Sequence, residues 1–453
     1  MGLTAALGEF LETVRFADLP EEAISLARDA FTDTIGVIMA GLDEPVVKIV
    51  YDEVTLAPPA GQARACLSEA SITAPDAALL SGTAAHALDY DDQALTGHPS
   101  AILVPAILAE GEFLKSTGQE MVVAYVAGYE VWAELVRRSR NYHAKGWHPT
   151  SVFGSVSAAA AVAVLRKLPA ERASTALAIA ASHAGGLAIN FGTMTKPYHA
   201  GMAARNGVIS ARLAARGATA SAVAFEHPRG YLTAFSPEAT ADWDSPCELG
   251  RHWHILGHRL CIKRYPTCYF MHRSFDSTVR LLEGKNVHPD DVEEVEVIMG
   301  RGQTTVLAHE RPRTGLEAKF SGQFAMAAAV ILGRMGLEEV TDEVAVREDM
   351  TAFYPKVRLT PIDEYDSRDP AHSPSDRVIV RLKDGTELDT GPITSVRGHA
   401  FDPLTTDELW QKFRECTARS HGEKDARALF EATQRIADLR STLDIPTSKG
   451  LFD

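Results

Sequence analysis

Residues 86–100 read His86-Ala87-Leu88-Asp89-Tyr90-Asp91-Asp92-Gln93-Ala94-Leu95-Thr96-Gly97-His98-Pro99-Ser100. An apolar, alanine-rich run over 74–88 precedes the turn, and a second apolar run over 101–109 follows it. Both are long enough to be helices, and the turn between them carries three aspartates and a histidine. Carboxylates next to a core are costly unless paired or hydrogen-bonded. The turn therefore points to acid–base chemistry or ligand binding, or else to helix capping, for which Asp and Ser are common residues.

Working outward, the same pattern recurs. Apolar positions at helical spacing predict helices over 3–16, 20–40, 46–56, 75–88, 100–114, 120–139, 151–165, 170–183 and 202–215. Residues 63–67 read as a brief strand. The interior of the second helix, Phe31 through Ile35 to Met39, is too apolar for a surface helix. Tyr125, Tyr129 and Trp132 form a stripe that reads as core packing. From about 265 the character changes. Residues 292–299, 356–359 and 377–382 alternate in the manner of strands, and Lys383-Asp384-Gly385-Thr386 reads as a hairpin turn. Helices return over 404–419 and 423–439. The predicted fold class is mainly α: a large all-helical domain over 1–264 and 396–453, and a smaller α+β lid domain over 265–395 inserted before the C-terminal helices. The last helices are expected to pack back on the first domain, and such an insertion favours a cleft between domains.

Composition narrows the function. With 453 residues, 45% of them hydrophobic and 23% charged, the chain can bury a large core without disulfides. A formal charge of −15 argues against nucleic acid and anionic membrane as partners, but not against an anionic ligand in a local basic pocket. The five cysteines are scattered and odd in number, which fits a reducing compartment. Residues 1–19 lack a basic segment followed by an apolar core, and no run is long enough to span a bilayer, so a cytoplasmic location is expected.

Four polar turns beside apolar elements carry the chemistry: Asp89 to His98, Tyr142 to His148, Lys196 to His199, and Lys263 to His272. Lys196, Lys263 and Arg264 are cations suited to carboxylates, each charge-assisted bond contributing about 1.5–3 kcal/mol. His98, His148 and His272 can move protons near neutral pH, and a desolvated Asp89 can act as base. Together they suit proton abstraction next to a carboxylate, with cations holding the developing enolate-like charge. Blander readings exist for each: Lys196 as a solvated loop lysine, His148 as a core histidine, His272 as a helix cap. Asp91 and Asp92 are read as holding the loop's shape. Metal chemistry finds no support in the spacing. His252, His254 and His258 lie outside any HExxH pattern, and Cys247, Cys261 and Cys268 lack ferredoxin spacing.

These stretches carry a family likeness. HALDYDD with GHPSA, GWHPTSVFGS, GTMTKPYHAGMAARNG, KRYPTC with the following His272, and AKFSGQFAMAAA occur in order over about residues 30–400. In this the chain resembles the MmgE/PrpD family, which includes 2-methylcitrate dehydratase, cis-aconitate decarboxylase and iminodisuccinate epimerase. The resemblance implies a large helical domain, a smaller lid, a site between them and a homodimer. In the decarboxylase pattern the functional positions fall on Asp89, Gln93, His98, His148, Lys196 and Lys263. That enzyme has Thr where Gln93 stands and a loop one residue longer. Its lid histidine is replaced here by Cys268, with His272 four residues on. The Thr-Trp pair of the dehydratase and decarboxylase loops is absent.

The expected function is a metal-independent acid–base enzyme without cofactor, acting on a small di- or tricarboxylate. Asp89, His98, His148, Lys196 and Tyr142 are the expected catalytic residues, and Gln93, Lys263, Arg264, Cys268 and His272 the expected substrate contacts. A hydro-lyase of the 2-methylcitrate dehydratase type leads, followed by an epimerase and then a decarboxylase. A non-catalytic carboxylate-binding protein is the alternative of another class.

Overall fold

The structure, a computed structural model, describes residues 2–56, 61–139, 145–236, 241–366 and 372–448. The chain forms two compact units: Met1–Ile189, Thr195–Cys261 and Thr405–Asp453 make the first, Asn190–Met194 and Ile262–Leu404 the second.

The first unit is built from helices α1 (Leu3–Thr13), α2 (Glu21–Gly41), α3 (Pro45–Val54), α4 (Ala74–Ala87), α5 (Ser100–Leu114), α6 (Gly118–Arg138), α7 (Pro149–Leu165), α8 (Ala170–Ala181) and α9 (Thr195–Ala215). The C-terminal helices Thr406–Thr417 and Glu423–Gln434 return to it and pack on α2. Every residue of α2 from Ala30 to Gly41 is buried, as its apolar interior requires.

Three helices set the frame of the site, and small residues set their spacing. A Cβ on Gly82 of α4 would lie 2.9 Å from the Gly201 Cα of α9, so the two backbones touch. A Cβ on Gly207 of α9 would lie 2.3 Å from the Ala158 Cβ of α7. Gly82 meets Gly201 while Asp89 meets Lys196, so α4 and α9 run antiparallel. Ala158 meets Gly207 while His148 meets His199, so α7 and α9 run parallel. The C-terminus of α4 and the N-termini of α5, α7 and α9 therefore converge at one end of the bundle.

Local differences from the sequence expectations have simple causes. The stretch 195–201 is the first turns of α9 rather than a loop. Pro197 is tolerated there because the first N–H groups of a helix have no intrahelical partner. The strand expected over 63–67 is only β1 (Ala63–Arg64), paired antiparallel with β2 (Ser71–Ile72). It ends because Cys66 and Leu67 take positive φ (48° and 60°). The last helix stops at Gln434, and two 3-10 turns, Ile436–Asp438 and Thr442–Asp444, follow among the described residues.

The second unit carries a four-stranded sheet of β3 (Val292–Gly300), β4 (Val357–Ile362), β5 (Arg377–Leu382) and β6 (Glu387–Asp389), in the order β4-β3-β5-β6. β3 pairs parallel with β4 and antiparallel with β5, and β5 and β6 form the expected hairpin. Helices His272–Leu282 and Gly322–Ile331 pack on one another, burying Phe275, Phe324 and Met326 with Val295 and Val297 of β3. All five cysteines are free thiols. No helix among the described residues is long and apolar enough to cross a membrane.

Candidate active site

The turn after α4 supplies most of the site. α4 ends at Ala87, and Asp89 then adopts a left-handed conformation (φ 51°), which a short polar side chain tolerates just past a helix end. Farther on, Ala94 and Gly97 exchange both backbone hydrogen bonds around Leu95 and Thr96, each at positive φ. A tight turn of this kind favours Asn or Gly, so Leu and Thr there are strained and must be held from outside. The aromatic stripe of α6 does this. Trp132 Nε1 donates to Leu95 O at 3.3 Å, and its ring leaves no room for a Cβ on Gly97, which would lie 2.8 Å from Cζ2. Gln93 is tied down by reciprocal backbone bonds with Cys261 at 2.9 Å. Lys412, from the C-terminal helix, donates to Tyr90 O at 2.8 Å and pairs with buried Asp33 at 2.6 Å.

Asp91 sits at the centre of this turn. Its carboxylate lies 3.0 Å from Nδ1 of His86 and 3.0 Å from Nδ1 of His98. His98 Nδ1 also lies 2.8 Å from Asp92 O. Carbonyl and carboxylate oxygens only accept, so both imidazoles carry hydrogen on Nδ1 and, when neutral, expose a bare Nε2. The two rings are tilted neighbours, 4.5 Å apart. His86 is buried, and its Nε2 has no hydrogen-bond partner among the described residues.

Two further helices complete the set. Lys196, in the first turn of α9, places Nζ 2.7 Å from Oδ1 of Asp89, and that carboxylate lies 3.8 Å from His98 Nε2. His148, just before α7, stacks on His86 with ring centroids 5.9 Å apart. On its other side, Nδ1 of His148 lies 3.2 Å from Nδ1 of His199.

The electrostatics follow from burial and neighbours. Burial, aided by Lys196 and His98 and opposed by Asp91, brings His86 down to about 3, so it is neutral at pH 7. Burial, then Lys196 and the other histidines, holds His148 well below the usual histidine range. His199 is lowered too, by burial and by Lys196. Burial opposes charge on Asp91, but His86 and His98 outweigh it and keep the carboxyl well below its usual range. Asp92 goes the other way. Burial raises it to about 8, against the bond from Ser100 and with Asp33 and Asp91 adding to the rise. Its proton belongs to a short buried chain in which Ser100 Oγ meets both Asp92 and, at 2.7 Å, Tyr125 Oη.

Of the residues expected from sequence, Asp89, His98, His148 and Lys196 come together in the first unit. Tyr142 lies outside the described residues. Lys263, Arg264, Cys268 and His272 belong to the second unit. There Lys263 is buried, His272 Nε2 donates to Thr267 O at 3.2 Å, and the Cys268 amide donates to Lys319 O at 2.9 Å. Arg264, with a partly exposed side chain, lies 3.6 Å from Asp276. Sequence reasoning missed three members. In the sequence His86 lies inside an apolar helical run, Asp91 reads as holding the loop's shape rather than as catalytic, and His199 falls in a polar turn. Lys196 and His199 are three residues apart, so a helical reading from Thr195 puts them on one face.

His86, Asp89, Asp91 and His98 offer donor atoms within 4.8 Å of one another, close enough to hold a cation. Both Nδ1 atoms already face Asp91, and the Lys196 ammonium stands against Asp89. That arrangement is a hydrogen-bonded acid–base network.

The family model of the MmgE/PrpD N-terminal domain matches residues 5–244, and that of the C-terminal domain matches residues 265–438. The chain belongs to the MmgE/PrpD family. Among similar proteins are the cis-aconitate decarboxylases of Mus musculus (27% identical over 379 residues) and Homo sapiens (27% over 382). Each of those matches covers 80% of this chain and 76% of the relative. A cis-aconitate decarboxylase-like protein of Aspergillus oryzae is 24% identical over 471 residues, 98% of this chain and 95% of the relative. In this MmgE/PrpD chain the His86–Asp91–His98 network lies within the part matched by the N-terminal domain.

Proposed function

We propose that this protein is an acid–base lyase acting on a small di- or tricarboxylate, with proton transfer at the carbon next to a carboxylate as its first chemical step. The observation that carries the reading is Asp91, an ionised carboxylate 3.0 Å from Nδ1 of both His86 and His98. A carboxylate behind an imidazole fixes the tautomer and stabilises the imidazolium that forms when Nε2 takes a proton. His98 is the base. The Lys196 ammonium, oriented by Asp89, balances charge that develops on the substrate carboxylate. The N-termini of α5, α7 and α9 add positive potential at the same end of the bundle. His148, neutral and beside Lys196, is the second proton carrier, serving the leaving group or the returning proton.

The next step depends on what leaves. Loss of hydroxide, protonated to water, makes the protein a hydro-lyase of the 2-methylcitrate dehydratase type, the reading we favour. Loss of carbon dioxide with proton delivery to carbon makes it a decarboxylase, a second reading favoured by the names of its relatives. Return of the proton to the opposite face would make it an epimerase. Proton NMR in D₂O with 2-methylcitrate, citrate, cis-aconitate and iminodisuccinate separates these. A vinylic product marks elimination or decarboxylation, and deuterium at the α-carbon without net conversion marks epimerisation. No exchange and no product with any of them would refute the proposed step.

A further inference from the structure

We propose that His199 is the proton relay of this site, a positioning residue paired Nδ1 to Nδ1 with His148 that carries protons between that buried ring and solvent. The proposal rests on the acid–base reading above and adds the path by which its second proton carrier is recharged.

His148 is 2% exposed, and a buried acid that has given up its proton needs a route to regain one. Its Nδ1 lies 3.2 Å from His199 Nδ1, with the rings 5.4 Å apart and tilted by 50°. A hydrogen bond between two ring nitrogens requires hydrogen on one and a lone pair on the other. The neutral pair therefore holds one Nδ1 proton between two rings in opposite tautomers. His199 is only partly buried, so the chain of two rings leads outward.

The seat of the pair is built for it. Gly186 O accepts from the His148 amide at 2.9 Å, and the same glycine, at φ 112°, lies close beside the second ring. A Cβ there would be 3.2 Å from His199 Nδ1 and 3.0 Å from Ser151 Cβ. Only glycine allows both the backbone conformation and the approach. Lys196 stands near both rings and disfavours a second proton on the pair, so it passes protons rather than storing them.

The transfer balances. His148 Nε2–H gives its proton to the substrate, His148 Nδ1 takes the Nδ1 proton of His199, and His199 Nε2 takes one from water. One proton leaves the pair and one enters. The rings have exchanged tautomers. They are reset when the proton abstracted from the substrate carbon passes to His148 Nε2, His148 Nδ1 returns its proton to His199 Nδ1, and His199 Nε2 releases one to water.

The test compares the wild-type protein with His199→Ala and His199→Gln on whichever carboxylate the wild type turns over. The expected result is a loss of about tenfold to hundredfold in kcat with little change in KM. Added imidazole should restore the alanine variant, which leaves a ring-sized space, but not the glutamine variant. Glutamine fills the site, so it also keeps the test meaningful should the alanine variant fold poorly. Imidazole ¹⁵N spectra of the wild type provide a readout that needs no turnover: His148 and His199 should show one Nδ1–H and one Nε2–H. Matching tautomers, a kcat within about twofold of wild type, or absence of rescue would overturn the relay. A wild type inert towards every acid in the panel refutes the functional reading. An active wild type with unaffected His199 variants refutes only the relay.

Discussion

The Lys196 ammonium lies 2.7 Å from Oδ1 of Asp89, and both side chains are almost wholly withdrawn from water. One partner comes from the turn after α4 and the other from the first turn of α9, so this ion pair closes the end of the bundle where the histidines gather. Removing either partner alone breaks a buried ion pair, which costs about 3–5 kcal/mol. Lys196→Met and Asp89→Asn should each destabilise the protein by that order, measured by denaturant unfolding. The double variant should regain most of the stability while remaining without turnover. Additive losses in the double variant would mean that the two groups do not act as a pair.

Asp91 holds two histidines in one tautomer, and an amide cannot do so. In Asp91→Asn the side-chain oxygen can accept from one Nδ1–H, but the NH₂ group then faces the other and forces that ring to flip or move. Loss of the carboxylate also withdraws support from the imidazolium. We expect kcat to fall by about a hundredfold to ten-thousandfold with a small change in KM. Steady-state kinetics on the active substrate decide the point, and a variant with near-normal kcat would remove Asp91 from the mechanism.

Asp92 makes a prediction of opposite electrostatic sign. Its carboxyl is raised to about 8 in the fold, from an ordinary value of 3.8. Between these values the folded chain keeps a proton that the unfolded chain has released, so rising pH erodes this group's contribution to stability. Asparagine cannot ionise and lacks that slope. The Tm of Asp92→Asn relative to wild type should therefore improve steadily from about pH 5 to about pH 8. A Tm difference that does not change with pH would show that Asp92 ionises normally in the fold.

Much of the architecture was legible from periodicity. The apolar runs that flank the turn at 86–100 became α4 and α5, and the alternating segments became β3, β4 and β5. Residue chemistry also selected Asp89, His98, His148 and Lys196, since cations and histidines in turns beside apolar helices are hard to explain as packing. The misses share a cause. Pro197 and Gly201 made 195–201 look like a loop, which hid the i, i+3 relation of Lys196 and His199. His86 lies inside an alanine-rich helix, where a histidine has no distinguishing pattern. The stripe Tyr125, Tyr129 and Trp132 is core, as its spacing implies. Its polar tips do further work that spacing cannot reveal: they bond Ser100, Arg259 and Leu95.

What the sequence alone determined is the set of elements and the inventory of chemistry, because periodicity and residue type are local properties of the chain. Which proton sits on which nitrogen was decided only by the tertiary structure. Asp91 reaches two histidines, and His148 meets His199, because Gly82, Gly201 and Gly207 let three helices approach to backbone contact and bring their ends together. Tautomer, ionisation and pairing depend on distances of about 3 Å between groups that are far apart in the chain, and only close packing sets those.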